Sequence, residues 1–382
     1  MKSITSYLLR TKWAIFLLVA LLLTVFGRTV ETPSLTKSAI VLGIGVDYDQ
    51  STQEFEVSTQ SVLVGSSSGE STTTSYVTYS ANGKTIANAL DGISRKMGLI
   101  VSLAHCNVVV MSKEALKLDH LQLIYPLTGM YALPAQTIIV SCDKPPKDML
   151  ALRIGTTISA PFFLQQALIN EEGSDGMLRT TAKEFLARSL SRSEANAVPY
   201  IRATKMQSPP LTEQGDVKDA YELNFDQALV FNHDKNDIVD GDYTEILAIY
   251  LSKDVVGTLN YVSESGETIE FKVLKKNVSV KASARHVIAK IELTADVSDV
   301  QHVSTDEVLT SADGIVVRFA DNLARECENK LVELFEKSKQ IGIDFLSLQE
   351  KAYQSIGRTL EKNCLDTLTF TPKVKISVRE TG

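Results

Sequence analysis

Gly83-Lys-Thr-Ile-Ala-Asn-Ala-Leu90, followed by His105-Cys-Asn-Val-Val-Val-Met111, sets the fold class of this chain. In the first stretch Asn82-Gly83 marks a turn and Thr85 can cap a helix. Ile86, Ala89, Leu90 and Ile93 then recur at helical spacing. The second stretch is β-branched and apolar, which predicts a strand, with a helix starting at Ser112. Upstream, Ala39 to Val46 and Glu54 to Leu63 flank the turn Asp47 to Thr52 and predict a hairpin. Gly65 to Thr74 is of low complexity and reads as a loop before a strand over Ser75–Tyr79. Downstream, Gln136 to Cys142 is another strand before the Pro145-Pro146 break, and Ser159 to Leu190 reads as mainly helical. Helices and strands alternate, so this half is mixed α/β.

The other half has a different order. Ala228 to Phe231, Thr268 to Val273, Val278 to Val280 and Val287 to Leu293 predict a sheet of antiparallel strands. A long helix comes next, from Ala312 to Gln340, with Val316, Phe319, Ala320, Leu323, Cys327, Leu331, Leu334 and Phe335 on one stripe. That stripe reads as core, with a docking surface for a membrane partner as the alternative. Gly342 ends the helix; a second helix over Phe345–Ile356 and a strand over Val374–Val378 complete an α+β unit. The Pro- and Gly-punctuated stretch around Ser208-Pro-Pro210 reads as a linker. The expected division is residues 1–28 as signal or membrane anchor, 29–38 as tether, 39–197 as a mixed α/β domain, 198–220 as linker and 221–382 as an α+β domain. The fold class is therefore multidomain and mixed α/β or α+β, with two or three sheet-and-helix domains behind an N-terminal hydrophobic helix.

A chain of 382 residues is too long for one compact core. Hydrophobic residues at 44% and charged residues at 22% exclude collagen-like, coiled-coil and wholly disordered classes. The net charge of −7, with no basic cluster in the sequence, argues against nucleic acid as a partner. Apolar residues concentrate in one run, Trp13 to Phe26, in which Trp13, Ile15, Phe16, Leu17, Leu18, Leu21, Leu22, Leu23 and Phe26 form the anchor candidate. Lys2, Arg10 and Lys12 precede it, which keeps that flank cytoplasmic and exports the chain beyond Arg28. As a helix the run is about 21 Å long, short of the roughly 30 Å hydrocarbon core. Val25 and Gly27 suit cleavage after Gly27, so a removed signal peptide and a retained anchor both stand.

No constellation for chemistry emerges. Gly83-Lys84-Thr85 imitates the end of a phosphate loop, but Thr78 stands where its first glycine belongs. Gly43-Ile-Gly45 lacks the third glycine of a dinucleotide fingerprint, with Tyr48 in its place. Asp47, Asp49 and Ser51 start like a calcium loop, but Thr52 and Ser58 replace the glycine and the glutamate it requires. His105, His120, His233, His286 and His302 show no metal-ligand spacing, and no serine sits in a nucleophile elbow. His105 beside Cys106 would form a thiolate pair only if both faced one way, which strand neighbours do not. Cys106, Cys142, Cys327 and Cys364 read as buried thiols, with three disulfide pairings open in an exported protein. No catalytic residue, cofactor or metal ligand is expected.

The order of segments resembles the Ger(x)C-like family, the C subunits of bacterial spore germinant receptors. The resemblance rests on Ala39 to Asp47, Gly83 to Leu90, Ala104 to Val110, Arg179-Thr-Thr-Ala-Lys-Glu-Phe-Leu186 with Pro199, Ala228 to Phe231, Gly342-Ile-Asp344 and Val374 to Gly382. It implies an exported, non-enzymatic protein on the outer face of the spore's inner membrane. Its implied partners are integral-membrane subunits of the same receptor, which together sense nutrients such as amino acids or sugars. The family's lipid-bearing cysteine is replaced by Arg28, which has no thiol to acylate, so no lipidation is expected there. An uncleaved Trp13–Phe26 helix is the simplest substitute, lengthened by Arg10 and Lys12 snorkelling. The function expected is thus a membrane-associated, extracytoplasmic receptor subunit, and the alternative is a secreted or anchored protein that binds a small molecule alone.

Overall fold

The computed structural model describes residue 18 and residues 38–64, 74–154, 159–169, 177–207, 211–212, 215–216, 220–252, 257–263, 266–283, 285–301, 312–356 and 364–379. Of the N-terminal run only Leu18 is described, helical and exposed. The rest of the anchor candidate, the tether up to Lys37 and the loop up to Thr73 lie outside the described residues. Among the described residues no helix is long and apolar enough to cross a membrane.

The first strands are β1 (Ser38–Asp49), β2 (Glu54–Val64) and β3 (Thr74–Gly83), paired antiparallel. Asn82-Gly83, expected as a turn, is instead the end of β3, opposite Glu56 and Phe55. Helix α1 (Ile86–Met97) is next, then β4 (Ile100–Ser102) and β5 (Val108–Met111). The expected helix after Ser112 reduces to a 3₁₀ turn at Ala115–Lys117 and the short α2 (His120–Tyr125). Beyond it come β6 (Ile138–Cys142), α3 (Pro146–Ala151), β7 (Arg153–Ile154), α4 (Ala160–Ile169), α5 (Ala182–Ser189) and β8 (Asn196–Lys205). The two-residue strands β9 (Leu211–Thr212) and β10 (Gly215–Asp216) pair with each other. Then β11 (Ala220–Phe231), β12 (Asn236–Asp240) and α6 (Asp242–Leu251) complete this part.

These strands build one large sheet in the order β12-β11-β8-β6-β5-β1-β2-β3. Its middle, β1-β5-β6-β8, is parallel, and antiparallel pairs flank it on both sides. Parallel strands need cover on both faces, which is why β5 and β6 are buried throughout and apolar except for Ser141. Val109, Met111 and Ile139 point to a core with α1, while Val108, Val110 and Val140 point to another with α3 and α4. Residues 198–205 of the expected linker lie in β8. Ala228 to Phe231, assigned to the second unit, belongs to β11, hydrogen-bonded to β8. Pro199 sits in β8 opposite Ala228, where its fixed φ is compatible with an extended strand.

The remaining elements are β13 (Thr258–Val262), β14 (Thr268–Ser283), β15 (His286–Gln301), α7 (Ala312–Ile341), α8 (Leu348–Ile356) and β16 (Thr369–Val378). Their sheet has the order β13-β14-β15-β16. β13, β14 and β15 pair antiparallel, and β16 joins parallel to β15 after the α7–α8 crossover. One face carries Val287, Ala289, Ile291 and Leu293 into a core with the α7 stripe from Val316 to Phe335. The α7 stripe is core rather than a docking face. A register shift between Val273 and Lys275 re-phases β14, so Lys276 lies beside Leu293 on the core side. There its ammonium donates to Ile249 O at 2.9 Å and to Ser252 O, closing the C-terminal carbonyls of α6.

Candidate functional site

Each motif tested for chemistry has a local structural use. Thr85 Oγ1 accepts from Asn88 N at 3.1 Å and caps α1, while Gly98 in the left-handed region ends it. Lys84 donates to Thr52 O and pairs with Glu54, so it anchors the β1–β2 turn rather than a phosphate. Gly43 and Gly45 let α3 and α4 approach the sheet: a Cβ on Gly43 would lie 2.8 Å from Pro161 Cβ, and one on Gly45 2.9 Å from Pro146 Cβ. Asp49 Oδ1 accepts from Ser51 N at 2.7 Å and from its hydroxyl at 2.6 Å, the self-bonding of a turn.

His105 is exposed while Cys106 is buried, so the structure does not bring this pair together. The two residues sit in a turn before β5 rather than in a strand, but their side chains diverge as expected. Burial pushes the Cys106, Cys142 and Cys327 thiols up to about 12, far from a reactive thiolate. All four cysteines are buried. Among the described residues no group of three or more acidic, His or Cys side chains could hold a metal.

Two buried polar clusters were not legible in the sequence. His120, the first residue of α2 after its N-cap Asp119, is fully enclosed between Phe185 of α5, Phe231 of β11 and His233. Its Nε2 lies 3.1 Å from Leu116 O, so this nitrogen carries the proton. Burial first, and His233 second, pull its pKa down to about 4, which keeps the ring neutral. The second cluster centres on Asp344. Its carboxylate accepts from Ser193 Oγ at 2.6 Å, Leu348 N at 2.9 Å and Gln349 N at 2.7 Å. Asp344 thereby caps α8 and ties it to the loop before β8; Arg192 adds a stack on Tyr353 at 4.2 Å. The resemblance singled out Gly342-Ile-Asp344, but nothing in its composition told of Ser193, far away in the chain.

The surface also has an apolar groove of about 490 Å³ between the β2 start and α2, lined by Phe55, Lys84, Thr85, Ile86, Leu121 and Tyr125. Leu121 and Tyr125 are exposed there, the latter at 71%.

Residues 32–203 match the family model described as spore germination protein N-terminal domain. Residues 226–382 match the one described as spore germination B3/GerAC like, C-terminal. The crystal structure of the GerBC protein aligns over 89% of this chain and 99% of its own, at 12% identity and a TM-score of 0.43. No curated protein matches the sequence. With both family models met in order along nearly the whole chain, the protein belongs to the Ger(x)C-like family of bacterial spore germination proteins, the C subunits of germinant receptors.

Proposed function

We propose that this chain is a non-catalytic, membrane-associated, extracytoplasmic subunit of a spore germinant receptor complex, needed for nutrient-triggered germination. The observation that carries the reading is the pair of family models, which account for 32–203 and 226–382. Its partners are the integral-membrane subunits of the same receptor, and its place is the outer face of the spore's inner membrane. The Trp13–Phe26 run, with cations before it and Arg28 where a lipidated cysteine would stand, supports attachment by an uncleaved helix. The buried thiols, far from their reactive form, support a role without covalent catalysis.

Deletion in a spore-forming host that lacks paralogues tests this reading: loss of germination with at least one nutrient is expected, and unchanged germination with all nutrients overturns it. Purification in detergent separates it from a stand-alone binding protein. Multi-span subunits should co-purify; their absence, with a small molecule retained in the Phe55–Tyr125 groove, would favour the alternative.

A further inference from the structure

Although the protein is acidic overall, its charge is unevenly placed. Strand alternation puts Lys275 and Lys281 of β14, Lys290 of β15, and Lys373 and Lys375 of β16 on the solvent face of the four-stranded sheet, all exposed. The opposite face holds the core residues Val287, Ala289 and Ile291. Over the rows from Ser283 to Lys275 the only carboxylate on that solvent face, among the described residues, is Glu292, which is opposite Lys375. None of the five lysines makes an ion pair among the described residues. Lys290 and Lys373 are direct cross-strand partners, an arrangement of like charges that costs stability. Such a cost persists where the charges serve an anionic surface. The patch ends near Thr294; beyond it Asp296 is neutralised by Arg379 at 2.6 Å.

We infer that the solvent face of the β13–β16 sheet, through Lys275, Lys281, Lys290, Lys373 and Lys375, docks on an anionic lipid surface. Shape and chemistry favour a bilayer. Lys290 and Lys373 stand about 5 Å apart across strands and Lys373 and Lys375 about 7 Å apart along one, on the open face of an extended sheet. Lysine is a mobile point charge that suits a diffuse layer of headgroups, whereas a compact anion calls for a concave site and fixed donors. The inference rests on the membrane attachment proposed above, since a body tethered by the N-terminal run stays near the bilayer and weak contacts suffice. Docking this face fixes the orientation of the folded body.

The test uses the full chain in vesicles of phosphatidylcholine, alone or with about 30% phosphatidylglycerol, and reads amine acetylation of each lysine by mass spectrometry. Lys281, Lys290 and Lys373 should react at least roughly fivefold more slowly on the anionic vesicles. Lys84, just after β3, and Lys147, in α3, should not change, and about 0.5 M salt should abolish the difference. The triple variant K281E/K290E/K373E should lose salt-sensitive protection at Lys275 and Lys375 while melting as a folded protein. Equal labelling on both vesicles overturns the inference. Protection that needs co-reconstituted membrane subunits also overturns it, in favour of an acidic protein partner. Flotation separates the two claims: a chain that floats with neutral vesicles but shows no protection keeps its anchor and loses this face. A chain that floats only with anionic vesicles keeps the face and loses the anchor.

Discussion

The imidazole rings of His120 and His233 lie 4.7 Å apart, centroid to centroid, and among the described residues neither Nδ1 has a hydrogen-bond partner. Protonating His120 would place a charge in a cage that includes Phe185 and Phe231. Its pKa of about 4 lies below the 6.5 of the unfolded chain, so below pH 6.5 the unfolded state binds the extra proton. The His120 contribution is therefore full above pH 6.5, falls as the pH drops toward 4, and is flat below that.

The loss expected across that window is about 3 kcal/mol from this group. Asp344 acts with the opposite sign, because burial raises its pKa to about 6 and the unfolded chain then holds fewer protons between pH 3.8 and 6. Comparing the protein with His120→Phe isolates the histidine. Denaturant melts at pH 7 and pH 4.5 should show a smaller drop in the variant; an equal drop would exclude His120 as the cause.

Asp344→Ala should destabilise by about 2–4 kcal/mol, because it uncaps Leu348 N and Gln349 N and leaves Ser193 Oγ buried without its acceptor. Asp344→Asn, which keeps an acceptor, should cost less. Chemical denaturation of both variants checks the order.

Gly43→Ala should cost about 1–3 kcal/mol through overpacking against Pro161 and Leu150. If Gly43 and Gly45 served a nucleotide, the variant would be stable and lose nucleotide binding; thermal melts with and without ATP separate the two.

Thr85→Ala should lower stability by about 1 kcal/mol through loss of the α1 cap. Magnesium-ATP should shift the melting temperature of neither form, since Lys84 is engaged by Thr52 and Glu54.

Mass spectrometry of the mature protein should find Trp13–Phe26 still attached. A chain that begins at Arg28 would remove the proposed anchor.

Local features were readable from the residues alone. Thr85, Ile86, Ala89, Leu90 and Ile93 specified a capped amphipathic helix, because cap chemistry and the 3.6-residue period act within one turn of chain. The β1–β2 hairpin and the α7 stripe were legible for the same reason, and the family resemblance came from the order of such segments. Partners distant in sequence were not legible. That β11 pairs with β8 depends on which strands find each other; Ala228 opposite Pro199 carries no mark of it in either stretch. His120 reads as one histidine among five until the fold encloses it with His233, and Asp344 is only part of a resemblance stretch until Ser193 meets it. The five lysines, scattered over about a hundred residues, gather on one face only through the register of β14, β15 and β16. Periodicity and capping determined the elements, because those energies are local. Tertiary packing decided the sheet order, the buried titrating groups and the charged face, because desolvation and charge proximity depend on distance in space.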